Sequence, residues 1–181
     1  MLYIIVALKA EAQSFVDKYK LKKKKLKNFV FYSNEDIRLL ISGMGVENAR
    51  EATQTLINYF DINDDDIYLN IGICGASKNY EIGELVEIGN ISFKDIKYTV
   101  KEKKHSITCV TTAQSNSLYS IVDMESYGFY DAVIHNPAIK HIFILKVVSD
   151  HFEPQKVTKD SAKKLLFNKL DAINTLIRES K

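Results

Sequence analysis

The sequence is poor in the features that define several protein classes. It holds two cysteines, Cys74 and Cys109, among 181 residues. These give neither a disulfide framework nor a metal-ligand spacing, and a reducing, cytoplasmic compartment is the default. The four histidines (His105, His135, His141 and His151) lack the spacing of zinc ligands, so neither a metal nor a cofactor is expected. Seven glycines and two prolines leave no low-complexity stretch, and no internal repeat is visible. No apolar run approaches the roughly 20 residues that span a bilayer. Leu2 to Leu8 is too short for a signal-peptide core and lacks the basic segment and cleavage site that would flank one. Charge of one sign is not in excess, with 25 Lys and Arg against 23 Asp and Glu. Neither nucleic acid nor a membrane is therefore an expected partner.

What remains is an ordinary globular composition, 46% apolar and 27% charged, long enough for one domain over residues 1–181. Leu2 to Leu8, Ile67 to Ile71 and His141 to Val148 are continuous apolar runs with β-branched members, the pattern of buried central strands. Ala10 to Tyr19 and Val46 to Phe60 have helical spacing, as does Lys159 to Arg178, read as one amphipathic terminal helix. Phe29 to Ser33 and Ile37 to Ser42 read as strands around the turn at Asn34 to Asp36, and Leu85 to Ile91, Lys97 to Val100 and Ile107 to Thr112 as further strands. Met124 to Ile134 reads as a helix. The basic run Lys22 to Lys25 reads as a solvated turn. Alternating buried strands and helices predict a three-layer α/β/α sandwich around a mixed, mostly parallel sheet. Ligands of such sheets bind beyond the carboxyl ends of the strands, here after Leu8, Ser42, Ile71 and Val148.

Three carboxylates lie at such places: Glu11, Glu125 and Asp150. Each alone has an ordinary reading, as a helix-start acid for Glu11 and Glu125 and as a turn cap for Asp150. Their surroundings say more. Ile4 to Glu11, Ser42-Gly43-Met44-Gly45-Val46-Glu47-Asn48-Ala49, Asn70 to Ala76 followed by Ile82 to Val86, Asp123-Met124-Glu125-Ser126 and Val148-Ser149-Asp150 occur in this order. Together they resemble the motifs of the nucleoside phosphorylase and nucleosidase superfamily, nearest to a shortened 5′-methylthioadenosine/S-adenosylhomocysteine nucleosidase.

That resemblance implies a nucleoside phosphorylase-like fold and cleavage of a purine nucleoside's N-glycosidic bond. Asp150 matches the acid that protonates or hydrogen-bonds N7 of the leaving purine, with Ser149 beside it. Glu125, with Met124 under the sugar, matches the residue that binds the ribose hydroxyls. Glu11 matches the base that activates water, and the chemistry parallels inverting glycosidases in placing an acid and a base on either side of the bond. Ser42 and Gly43 belong to a substrate-binding turn, and Gly72 and Gly75 let backbone approach the base.

Two departures stand out. The chain is shorter between Ile91 and Met124, and Lys146 stands where relatives carry Arg. Three functions are weighed: a nucleosidase using water, a phosphorylase using phosphate with Arg38 and Arg50 as its ligands, and a non-catalytic nucleoside-binding homologue. The expected partner is a small-molecule nucleoside, and a homodimer stays open.

Overall fold

The computed structural model describes residues 1–115 and 118–179. Leu2–Val6 (β1) is apolar at every position because both of its faces are covered. Tyr3 and Ile5 join one buried cluster, and Ile4 and Val6 join the other. Side chains alternate across a strand, so a run buried on both sides loses its polar phase. Ile67–Ala76 (β5) and His141–Asp150 (β10) divide their residues between the same two clusters. The three central strands are buried as the apolar runs predict.

Around them lie Lys22–Leu26 (β2), Phe29–Ser33 (β3), Ile37–Ile41 (β4), Leu85–Phe93 (β6), Ile96–Thr99 (β7), His105–Cys109 (β8) and Ile121–Asp123 (β9). Their order runs β2, β3, β4, β1, β5, β10. From β10 the pairing continues through β6, β8 and β9 and returns to β5, while β7 pairs with β6. Helices Val46–Tyr59 (α2) and Ser126–Ile134 (α3) pack with one cluster. Lys9–Tyr19 (α1), Lys159–Phe167 (α4) and Leu170–Glu179 (α5) pack with the other. The fold is thus mixed α/β, one sheet with five helices among the described residues. No helix among them is long and apolar enough to cross a membrane.

Several expectations are corrected. Among the described residues, five strand pairings are parallel and five antiparallel, so the sheet is mixed but not mostly parallel. Three of the five antiparallel pairings have a local cause: short turns between β2, β3 and β4 and between β6 and β7 can join only antiparallel neighbours. Lys22 to Lys25 is not a turn but most of β2, at one end of the sheet, with all four lysines exposed. The terminal helix is two, parted after Phe167 at Asn168 and Lys169. The three residues of β9 form a strand that no period in the sequence announces.

The parallel quartet β4, β1, β5, β10 aligns its carboxyl ends, and α3 brings its own start to the same place. A tight helix crossing fixes that approach. A methyl group on Gly128 of α3 would lie 1.9 Å from the Val46 carbonyl oxygen at the first turn of α2, so only a residue without Cβ lets α3 lie this close. Gly128→Ala is expected to force the helices apart and to cost about 1–3 kcal/mol or more by overpacking. A thermal melt of the variant several degrees below wild type checks this.

Candidate active site

Polar groups gather where the strand ends meet. A cavity of about 270 Å³ is lined there by Glu11, Met44, Gly75, Met124, Glu125, Ser149 and Asp150, among others. All four strand ends picked out in the sequence contribute to its wall.

Glu11 lies in the first turn of α1 and is 2% exposed. Its Oε2 accepts the amide hydrogens of Ala7 (3.0 Å) and Leu8 (2.8 Å), and its Oε1 accepts that of Ile73 (3.0 Å). An ionised carboxylate offers about four lone-pair sites, so three are engaged by backbone. The helix-start role is real, and the side chain nevertheless reaches the cavity. Gly72 explains how: a Cβ there would stand 2.8 Å from Oε1 of Glu11. Gly72 does not line the cavity but makes room for the acid that does. Burial pushes the Glu11 carboxyl above its ordinary range, against the pull of the Ile73 and Leu8 amides, the Lys146 charge and the Ala7 amide.

Glu125 stands immediately before α3 without capping it. Its Oε1 accepts the Gly45 amide hydrogen at 2.8 Å. That amide is presented by the turn Gly43-Met44-Gly45, in which both glycines hold positive φ, +87° and +100°, a region that residues with a side chain avoid. Ser42 and Gly43 shape this turn without lining the cavity. The Ser42 hydroxyl lies within reach of the Val6 and Gly43 carbonyls. Burial pushes Glu125 up to about 7, the Asp123 charge adds to the rise, and Lys146 and the Gly45 amide oppose it.

Asp150 ends β10. The register of β10 against β5 slips between Val148 and Asp150, opposite Cys74 and Gly75. In a regular strand, neighbours point to opposite faces; a bulge re-aims one of them. Ser149 and Asp150 therefore both line the cavity. The Ser149 hydroxyl lies 2.7 Å from Asp150 Oδ2, and the Glu153 amide donates to Oδ1 at 2.8 Å. The turn-capping reading of Asp150 holds alongside its place in the wall.

The sequence reading missed the support beneath these acids. Asp123 accepts from Lys146 Nζ (2.8 Å) and the Ser126 amide (2.9 Å) on Oδ2, and from the Ser126 hydroxyl (2.6 Å) on Oδ1. Its signals in the sequence are the spacing Asp-x-x-Ser at a helix start and its place in the motif Asp123-Met124-Glu125-Ser126. Arg38 and Arg50, weighed as phosphate ligands, are engaged elsewhere. Arg38 donates to the Tyr3 hydroxyl and lies 3.8 Å over the Phe60 ring, while Arg50 pairs with Asp131 and Glu47. Neither lines the cavity.

No protein-family model matches the sequence, and no curated protein matches it. Solved structures do match in fold. The 5′-methylthioadenosine/S-adenosylhomocysteine nucleosidase of Neisseria meningitidis, in complex with methylthio-immucillin-A, superposes with a TM-score of 0.78 at 18% identity over 99% of both chains. A Helicobacter pylori nucleosidase mutant holding 5′-methylthioadenosine in its active site gives 0.81 at 13% identity over 98% of both. The futalosine hydrolase of Helicobacter pylori gives 0.81 at 14% identity over 98% of this chain and 97% of that one. The chain has a nucleoside phosphorylase/nucleosidase-like fold.

The raised Glu125 carboxyl has a sign that can be checked. Its folded pKa lies above the usual value of about 4.5, so folding favours its protonated form. That contribution is complete below the unfolded pKa and is lost as pH rises through about 7. Glu125→Gln, neutral throughout, is expected to gain stability over wild type across this window by on the order of 3 kcal/mol. Urea unfolding of both proteins at pH 4.5 and pH 8 measures it.

Proposed function

We propose that this protein hydrolyses the N-glycosidic bond of a purine nucleoside, such as 5′-methylthioadenosine or S-adenosylhomocysteine, and releases the free base. One observation carries the reading: a single cavity is lined at once by Glu11, Glu125 and Asp150, from three separate parts of the chain. The fold of nucleosidases that act on or bind such nucleosides supports it. We read the helices on the two faces of the sheet as the three-layer α/β/α sandwich of nucleoside phosphorylases, built as one domain over residues 1–181. The setting is a reducing cytoplasm in which Cys74 and Cys109 stay thiols.

Cleavage of the C1′–N bond leaves an oxocarbenium-like sugar and sends the bonding electrons to the purine. Asp150, steadied by Ser149, delivers a proton to N7, so the base leaves neutral. Glu125 keeps lone pairs beyond the one engaged by Gly45, and these accept hydrogen bonds from the ribose hydroxyls over Met124. Glu11 uses its fourth lone-pair site to hold the attacking water and take its proton as oxygen bonds to C1′. The two acids then exchange their protons with solvent, and the sum is nucleoside plus water giving base plus free sugar. Gly75 contributes cavity wall beside Asp150, Ser42 and Gly43 form the turn that presents Gly45, and Gly72 makes room for Glu11.

Water is favoured over phosphate because a dianion entering this cavity would meet carboxylates, with Arg38 and Arg50 engaged elsewhere. With 5′-methylthioadenosine, adenine release is expected at a rate independent of added phosphate, with free sugar as the second product. Strict phosphate dependence or a sugar 1-phosphate would make the enzyme a phosphorylase, and binding without turnover would make it a non-catalytic homologue. Asp150→Asn is expected to keep affinity within a few-fold while kcat falls by roughly 10²–10⁴, and Glu11→Gln to abolish hydrolysis with the fold intact. A 2′-deoxy substrate leaves Glu125 short of a partner, so its kcat/KM should fall by about tenfold or more. Equal values for the two sugars would remove Glu125 from ribose binding.

A further inference from the structure

Lys146 is 1% exposed, in the middle of β10. A lysine is rarely buried so fully unless it is paired. Its register partner in β5 is Gly72, the residue over which the Glu11 carboxylate lies. Partners across a parallel pair point to the same face, so the Lys146 side chain rises beside that acid. Its ammonium reaches Asp123, whose two oxygens also hold the amide and hydroxyl of Ser126. Ser126 opens α3, and Glu125 lies between Asp123 and Ser126 in the chain.

We propose that Lys146 is a positioning residue of this site: through Asp123 it fixes the start of α3 that carries Glu125, and its charge balances the buried carboxylates of Glu11 and Glu125. It rests on the hydrolase reading for its kinetic part only. The titratable groups that act on Lys146 are Glu11 from α1, Asp123 from β9 and Glu125 at the start of α3, and Lys146 and Asp123 act in turn on the thiols of Cys74 in β5 and Cys109 in β8. Burial opposes the charge of Lys146, yet Asp123, Glu125 and Glu11 together hold its pKa above the ordinary lysine value. In turn Lys146 draws Glu11 and Glu125 toward their ionised forms, the state in which one takes a proton from water and the other accepts from a diol. Asp123 acts on Glu125 in the opposite direction.

A purely structural ion pair behaves differently. Buried pairs are often replaceable by neutral groups without loss of stability, and then nothing else should change. Two variants separate the roles. Asp123→Asn removes an anion and leaves the cation, so Glu125 should titrate lower by about one pH unit. Asp123→Asn combined with Lys146→Met removes both members of the ion pair together, so neither is left buried without the other, and it keeps the test valid should the single variant fail to fold. In the double variant Glu11 should titrate higher by about one unit. On the acidic limb of the pH profile, where the ionised fraction limits the rate, kcat/KM should fall about tenfold, since one unit is tenfold in the ionised fraction there, with a thermal midpoint no lower than wild type. The carboxyl carbon resonances of the glutamates, followed by NMR across pH 4 to 9, report the titrations directly, and kcat/KM profiles report the rest. Unmoved titrations of both glutamates would overturn the inference, whether or not activity is lost. If wild-type protein cleaves no nucleoside, the hydrolase reading fails, and the NMR titrations alone decide the role of Lys146.

Discussion

The structure turns on the burial of charge. Glu11, Asp123 and Glu125 all lie out of water at one end of the sheet, and a carboxylate moved there without partners is costly by several kcal/mol. Each is compensated differently. Glu11 draws on three backbone amides, Asp123 on a buried ammonium and both donors of Ser126, and Glu125 on a single amide and a carboxyl pushed toward neutrality. The local shapes of the chain follow from supplying those donors. The double-glycine turn presents the Gly45 amide, Gly72 clears space beside Ile73, and Gly128 lets α3 close on α2. None of these glycines is explained by the strand or helix it belongs to. Gly43, Gly45 and Gly72 are explained by acids lying several residues or several elements away, and Gly128 by the backbone of α2 that its helix crosses.

Where burial is decided by a whole segment, the sequence was readable. The runs Leu2 to Leu8, Ile67 to Ile71 and His141 to Val148 could be placed in the interior because two covered faces leave no room for polar alternation. The errors came where a single neighbour decides. Lys22 to Lys25 has no apolar phase to betray a strand, since its pairing with β3 is made by backbone and its side chains all meet water. The three residues of β9 are too few for any period to show. The break at Asn168 sits inside an unbroken helical pattern, with Leu166 and Leu170 both facing the core on either side of it.

The site was legible in its acids and opaque in their support. Glu11, Glu125 and Asp150 stood out because carboxylates at strand ends and helix starts are conspicuous against apolar runs. Lys146 was visible only as a departure from a pattern in relatives, and nothing in the strand around it says that a lysine inside an apolar run will be buried rather than displaced. Its partner is 23 positions away in the chain and on a strand that was itself missed. The bulge before Asp150 is likewise hidden, since Val-Val-Ser-Asp contains no glycine or proline to announce a slip in register.

The lysines of β2 have a consequence for assembly. An outermost strand presents unpaired amides and carbonyls that a second copy can extend into a continuous sheet. Here that approach would set four ammonium groups of one molecule against four of the other, with nothing acidic in the strand to offset them. Edge-to-edge growth is thereby repelled, and the repulsion weakens only as salt screens it. Two copies of this protein are therefore not expected to join through β2, and the chain is guarded against stacking into fibrils along this strongly basic border.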